Sequence, residues 1–593
     1  MADIKKIVTD HIDVWTAAIE KKSTMGRGSK KKISLHGIKK LRELILELAV
    51  RGKLVSQDPS DEPASVILKK TAKEKLKLID EGKIHVRKIS VVITDEEKPF
   101  EIPVGWVWAR LPDVSDYKPG KTPSTKNPVY WSDNIDDYPW VSISDMEHYG
   151  LVSDTSKKIT QEAVDQVFKY DPILAGSLIM SFKLTVGKIA ILNVDAYHNE
   201  AIISIQAFND ISRDYLFKFL PTRALEGNTK RAIMGNTLNA TSLSLLLIPI
   251  PPIAEQHRIV TKVDELMALC DQLEQKTENS IIAHQTLVRT LLTTLTHSAN
   301  AEELQQNWAR IETHFASLFT TEHSIDQLKQ TILQLAVKGI LLPQDPNDEP
   351  ASVLLEKIEE EKVRLIKEGK IKNQKPLNAN NGQNKLYGLP KSWMWIPLGN
   401  LVKVMDAGWS PACIPEPSLD NEVWGVLKTT AVQVMKYLEY ENKILPADKD
   451  PRPQYEVKTG DILITRAGPK NRVAISCLVE ATRPKLMISD KIIRFHLVEI
   501  GMCEKFISLC LNGGATAEYL ESVKSGMAES QMNISQDKLR LTPIPLCPIT
   551  EQYRIVAKVD ELMALCDALK ERITLAQATQ INLTTAIVAQ AVN

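Results

Sequence analysis

The chain has 593 residues, 43% of them hydrophobic, with 74 basic and 74 acidic side chains and a formal net charge of zero. Its length argues for three or four structural units with ample apolar cores, and its balanced charge excludes a uniformly basic nucleic-acid binder, so any such role must rest on local charge. No apolar run reaches the ~18 residues of a membrane span, no signal peptide opens the chain, and seven cysteines without a Cys-x-x-Cys pair point to a reduced, cytoplasmic protein with no membrane or zinc site.

Residues 1–35 read as a basic N-terminal appendage. Residues 21–42 hold nine Lys or Arg and no acid. Such a run is either a solvated arm or a phosphate contact. Residues 36–99 then form the first part of a terminal helical repeat. Leu48-Ala49-Val50-Arg51-Gly52 and Gln57-Asp58-Pro59-Ser60-Asp61-Glu62-Pro63-Ala64-Ser65 return 287 residues later as Leu335-Ala336-Val337-Lys338-Gly339 and Gln344-Asp345-Pro346-Asn347-Asp348-Glu349-Pro350-Ala351-Ser352. The local reading is a helix, a glycine stop, an Asp-Pro turn and a charged helix that ends at Gly82 or Gly369.

Residues 100–248 and 387–544 open on Trp106-Val107-Trp108 and Trp393-Met394-Trp395. Both hold short β-type runs, such as Leu178–Ser181 and Ile462–Thr465, with helices between them. Two mixed α/β domains are predicted, alike only in outline, with the tryptophans as core rather than as stacking platforms. The blocks 249–386 and 545–593 each begin with prolines and continue as a long helix. Ile259, Val263, Leu266, Cys270 and Leu273 are spaced four, three, four, three, and Ile555, Val559, Leu562, Cys566 and Leu569 repeat them 296 residues later. That spacing marks a narrow apolar stripe. It predicts helices of about 30 to 45 residues, roughly 45 to 68 Å long. The helices are expected to run on through Leu287 and Leu291 in one copy and Ile573 in the other, and the simplest partner for each helix is the other, packed antiparallel as a coiled-coil-like spacer. The predicted fold class is therefore α/β, with two α/β domains separated by a long helix pair in a pseudo-two-fold arrangement.

With Pro-Pro-Ile-Ala-Glu-Gln-His-Arg-Ile-Val from Pro251, Lys262-Val263-Asp264-Glu265-Leu266-Met267 and the Gln-Asp-Pro blocks each present twice, the chain resembles the specificity subunits of type I restriction-modification systems across nearly all of residues 36–593. The resemblance implies that each variable domain is a target recognition domain reading half of a split double-stranded DNA sequence. It implies that the helices set the spacing and dock two methyltransferase subunits, and that restriction and translocase subunits join the complex. It implies no cofactor in this chain, with methyl donor, ATP and Mg on the partner subunits. The physics agrees: a bipartite reader must hold two modules at a fixed phase on a duplex whose turn is ~34 Å.

Within that reading, base and phosphate contacts call for Arg, Lys, Asn, Gln, Ser and Thr on exposed loops. The first domain offers Lys118, Lys121, Thr122, Ser124 and Lys126 in a Pro-broken loop, Ser142, Ser144 and Asp145 at a strand end, and Lys183, Arg231, Asn236 and Asn239. The second offers Trp409 and Ser410 in a Gly/Pro loop and Lys428, Thr429 and Thr430 at a strand end. It adds Arg466, Lys470 and Arg472 around Gly468-Pro469, and then Gln531 and Asn533. Residues 452–494 carry nine basic and four acidic side chains.

Catalytic motifs fail on their spacing. Asn127-Pro128-Val129-Tyr130 lacks the second proline of an adenine methyltransferase loop, and Gly120-Lys121-Thr122 has Ser115 where a phosphate loop needs glycine. Cys and His spacings match no metal site. No catalytic residue and no metal are expected. Two other classes remain open at this point, a self-contained methyltransferase or nuclease and a scaffold whose variable domains bind protein.

Overall fold

The computed structural model describes residues 4–22, 32–84, 92–226, 230–232, 235–371, 377 and 387–592. They form two compact units. One reaches to Glu278 and includes the chain from Gln577 onward, and the other runs from Asn279 to Ala576.

In the first unit, short helices Ile4–Asp10 and Ile12–Ala17 precede α1 (His36–Val50). Trp15 is fully buried, Gly37 N donates to Ala18 O at 3.0 Å, and a Cβ on Gly37 would fall 2.2 Å from Trp15 O. The described part of the appendage is therefore docked on α1 rather than a free arm. The basic stretch 23–31 lies outside the described residues. Ile38, Leu41, Leu44, Ile45 and Leu48 place one face of α1 in the core. The helix stops because Gly52 takes φ 66°, where a side chain would also strike Pro103. Helix α2 (Ala64–Asp80) follows the Asp-Pro turn and ends before Gly82, φ 68°.

Strand β1 (Val107–Arg110) starts the first α/β domain and pairs antiparallel with β11 (Leu247–Ile250), which ends it. Between them lie β2 (Ser115–Pro119), β3 (Trp131–Ser132), β4 (Tyr138–Val141), β5 (Gly150–Val152), β6 (Lys157–Ile159), β7 (Leu178–Ser181), β8 (Ile189–Leu192), β9 (Tyr197–His198) and β10 (Ile202–Ala207), then α3 (Arg213–Glu226). The strands make two sheets, β2-β10-β7-β8-β5 and β9-β4-β6-β3. Helix α4 (Ile253–Thr296) then begins, and its part up to Glu278 belongs to this unit.

The second unit repeats the plan. It contains α5 (Glu322–Lys338), α6 (Ala351–Lys367), β12 (Met394–Pro397), β13 (Val402–Ala407), β14 (Gly425–Leu427), β15 (Asn442–Ile444), β16 (Ile462–Thr465), β17 (Ser476–Leu478), β18 (Leu486–Met487), β19 (Ile492–Leu497), α7 (Glu504–Leu511), α8 (Gly514–Val523), β20 (Pro543–Leu546) and most of α9 (Ile549–Val592). Its sheets are β13-β19-β16-β17 and β15-β14-β18. In both domains the smaller sheet has one parallel pair, β9 on β4 and β18 on β14, beside an antiparallel one. The variable domains thus share a topology more closely than their sequences suggest.

One buried junction ties helix to domain in each unit. Glu255, in the first turn of α4, accepts from Trp106 Nε1 at 3.0 Å and Gln57 Nε2 at 2.9 Å; Glu551, in the first turn of α9, accepts from Trp393 Nε1 at 2.9 Å and Gln344 Nε2 at 2.7 Å. Beside them Arg258 pairs with Asp61 at 2.6 Å and Arg554 with Asp348 at 2.5 Å. The next residues do the same work twice. Gln256 spans Ser212 N and Pro251 O, while Gln552 spans Cys503 N and Cys547 O. Burial holds the Glu255 and Glu551 pKa above the usual carboxylate value against the pull of these bonds.

Helices α4 and α9 are 44 residues each, about 66 Å at 1.5 Å per residue. Ile259, Val263, Leu266 and Cys270 are buried as the stripe predicts, and the helices run on through Leu287, Leu291 and Ile573 as expected, but beyond Cys270 the buried face moves off the heptad positions. Leu287 is 50% exposed, and Val288, Leu292 and Leu295 are buried instead. The reason is the helical period: 18 residues are five turns of 3.6, which carries the face from Cys270 to Val288, whereas a heptad repeat would carry it to Leu287. In α9 the same step leads from Cys566 to Thr584, also buried.

Candidate nucleic-acid interface

Three chain segments meet at one place in the first domain. Trp140 on β4 donates from Nε1 to Lys121 O at 3.0 Å, Lys121 N donates to His198 O at 2.9 Å, and Asn199 N donates to Val141 O at 3.0 Å. The approach is close enough to require glycine, since a Cβ on Gly120 would lie 1.9 Å from His198 O. Burial drives the His198 pKa down to about 4, so the ring is neutral where the segments cross. The Thr122 hydroxyl donates to Glu200 in the β9–β10 turn. Beside it Ser142 donates from N and Oγ to Asp145 Oδ2 at 2.8 and 2.6 Å, and its Oγ lies 2.7 Å from Ser144 Oγ. Desolvation raises the Asp145 pKa, but the bonds from Ser142 and Ser156 outweigh it and leave the carboxyl below its usual value.

The second domain builds the same crossing from different side chains. Trp409 N donates to Ile488 O at 3.1 Å, and a Cβ on Gly408 would lie 1.9 Å from that oxygen. The Ser410 hydroxyl is bound to Asp490 in the β18–β19 turn, as Thr122 is to Glu200. Gly120-Lys121-Thr122-Pro123 and Gly408-Trp409-Ser410-Pro411 are therefore equivalent loops. Arg452 stacks over the Trp409 ring at 4.1 Å. Lys428 pairs with Glu441 at 3.2 Å, and Thr430 binds the same carboxylate. Arg466, Lys470, Gln531 and Asn533 are drawn together because Ala467-Gly468 pairs with Met532-Asn533.

Several candidates are committed within the protein. Arg472 turns inward to Gln433 Oε1, Thr429 O and Val432 O at 2.9 to 3.0 Å, and burial lowers its pKa. It holds the Thr429–Thr430 loop rather than facing outward. The Lys121 ammonium donates to Val167 O and Phe168 O, and Asn239 caps the helix Ala240–Ser244 through Ser242 N. Lys183 lies over the Phe182 ring at 5.2 Å. Arg231 and Asn236 are backbone partners in the hairpin Lys230–Ala232 and Gly235–Thr237, away in sequence from the three-segment crossing. Ser124, Lys126 and Ser144 are exposed, and the Lys118 side chain is about half so. Glu200 and Asp490, which hold the two loops at the crossing, and Lys443, Ser489 and Lys491 near the second loop, stand outside the residues predicted from the sequence. The repeated Gly-x-Thr/Ser-Pro loop was a usable signal for the crossing, but nothing in the sequence ties those later residues to it.

Two α/β domains of one topology, carrying unlike polar loops at the same strand ends and each anchored to a long helix, define a two-module recognition protein. Residues 103–283 match the type I restriction modification DNA specificity domain. The type I restriction enzyme EcoEI specificity subunit of Escherichia coli is 49% identical, and the EcoAI specificity subunit of Escherichia coli is 36% identical; both matches cover 100% of each chain. The HsdS subunit of Thermoanaerobacter tengcongensis, a solved structure, is 19% identical with a TM-score of 0.37, over 84% of this chain and 98% of that one. The chain belongs to the type I restriction enzyme specificity subunits, the non-catalytic DNA-recognition components of these complexes. Among the described residues no helix is long and apolar enough to cross a membrane.

Proposed function

We propose that the chain reads a split, asymmetric double-stranded DNA target, the first domain taking one half and the second domain the other. The observation that carries this is the crossing built twice with different chemistry. One frame presents Gly-Lys-Thr-Pro with Ser142, Ser144 and Asp145, and the other presents Gly-Trp-Ser-Pro with Lys428, Thr429 and Thr430. A common frame with unlike side chains reads unlike bases.

Two methyltransferase subunits dock on the helices, and restriction and translocase subunits join them in the cytoplasm. Methyl donor, ATP and Mg belong to those partners. Support for two equivalent docking places comes from exposed apolar residues that recur at equivalent positions. In the first unit Leu76, Leu269 and Leu583 are 62%, 40% and 43% exposed; in the second, their counterparts Val363, Leu565 and Leu287 are 50%, 56% and 50% exposed. Scattered exposed leucines need no explanation, but a repeated set does.

Single-molecule sequencing of genomic DNA from cells expressing the chain with its neighbouring methyltransferase tests the reading. A split asymmetric motif with modified adenines on both strands, absent when the chain is deleted, is expected. Methylation unchanged by deletion would overturn it.

A further inference from the structure

Between the Ser410 loop, the end of β14, β15 and the β18–β19 turn lies a cleft of about 380 Å³ lined by Ser410, Lys428, Thr429, Lys443, Ser489 and Lys491, among others. Ser489 is 94% buried, and its Oγ has no hydrogen-bond partner among the described residues. A buried hydroxyl is ordinarily partnered, and this one, shut off from solvent in the wall of the cleft, reaches a ligand atom by turning about its Cα–Cβ bond. Lys443 and Lys491 are exposed, and neither ammonium has an ion-pair or hydrogen-bond partner among the described residues. Of two nearby carboxylates, Glu441 is paired with Lys428 and Thr430, while Asp490 accepts from the Ser410 hydroxyl and keeps its charge next to Lys491 in the chain. What the cleft has to spare is donors. A guanine edge also offers acceptors only, but a phosphate adds the negative charge that ammonium groups favour. Arg466, whose backbone N donates to Lys491 O at 2.8 Å, extends the basic row beyond the cleft.

We propose that this cleft grips a phosphate of the DNA backbone, with Lys443 and Lys491 neutralising its charge and Ser489 Oγ donating to one of its oxygens. The site positions the second domain on the duplex and carries no sequence preference of its own. It rests on the reading of that domain as a DNA-binding module.

The test uses the chain in complex with its methyltransferase partner and a mixed-sequence duplex of about 40 base pairs, long enough for several helical turns. Affinity is followed by fluorescence anisotropy as salt is raised. The double variant Lys443→Ala/Lys491→Ala should lower the slope of log affinity against log salt by about 0.9 and weaken binding roughly 5- to 10-fold at 0.1 M salt, and each single variant should show part of that change. A duplex carrying the methylated motif and one without it should be weakened alike. Ser489→Ala should weaken binding severalfold at every salt concentration and leave the slope unchanged. Wild-type binding with an unchanged slope in the double variant would overturn the cleft alone, as would a loss confined to the motif-bearing duplex, which marks a base contact. Absence of salt-dependent binding by the wild-type complex would overturn the domain reading and the cleft with it. Thermal stabilisation by inorganic phosphate that the lysine variants abolish, with the DNA slope unchanged, would place a free anion there and also overturn the proposal.

Discussion

Glu255 and Glu551 are acidic groups placed where burial opposes their charge, and each is kept by two neutral donors. An amide offers one acceptor oxygen, so Glu551→Gln sets an N–H against either Trp393 or Gln344. It should cost about 1–3 kcal/mol, the usual penalty for an unmatched buried donor. Trp393→Phe, which removes a donor without adding one, should cost less, and denaturant unfolding of the two variants checks the order. Asp348 behaves in the opposite sense. The Arg554 hydrogen bond, outweighing burial and helped by Thr550, holds its carboxyl below the ordinary value of 3.8. A depressed folded pKa means that the unfolded chain binds more protons in acid. The contribution is fully present above about the ordinary value of 3.8 and is lost as pH falls through the lower folded one. Asp348→Asn should therefore flatten the fall of unfolding midpoint below that pH, and an unchanged acid limb would refute it. Of this junction the sequence displayed the repeated residues and the packing role of Trp106 and Trp393. It did not display that Gln57 meets Glu255 across 198 positions, because no local periodicity relates a turn glutamine to a helix start far down the chain.

At the scale of elements, the duplicated helices were legible because the apolar spacing survives in both copies and the prolines mark their starts. Which face the later turns bury was less legible, because four-three spacing fits a 3.5 and a 3.6 period alike over short stretches and the two diverge by one residue only after about five turns. The residue thereby left outside is informative. Leu287 and Leu583 occupy equivalent positions, as do Leu269 and Leu565, and all four are substantially exposed. If these are docking contacts, Leu565→Glu should remove one methyltransferase subunit from the purified complex and Leu269→Glu another, by native mass spectrometry. Each chain should keep its circular dichroism, since neither leucine is core. Retention of the full partner complement in the double variant would exclude these faces as docking surfaces. The sheets were less legible. Two-residue strands such as Tyr197–His198 and Leu486–Met487 are too short to show alternation, and they pair with strands that lie far earlier in the sequence, at Trp140–Val141 and Gly425–Val426.

For the whole molecule, shared topology with unlike loops implies that each domain carries its half of the specificity within its own boundaries. The boundaries are equivalent: Leu111 N donates to Leu246 O at 3.0 Å, and Leu398 N to Thr542 O at 2.8 Å. Strands β12 and β20, and the Trp393–Glu551–Gln344 contact, lie outside them. Grafting residues 115–246 in place of 402–542 therefore keeps the host's Trp393–Glu551–Gln344 contact, sets Ser212 where Cys503 met Gln552, and replaces every polar loop of the second domain. The graft brings its strand partners with it, because β2 pairs only with β10 and β13 only with β19, both inside the exchanged segments. The chimera should methylate a target in which the first half-site occurs twice and the second has vanished, scored by sequencing genomic DNA as for the parent. Survival of the second half-site would show that part of its reading comes from outside residues 402–542. A folded chimera that binds its partners and leaves no methylated motif would show instead that the halves are read jointly.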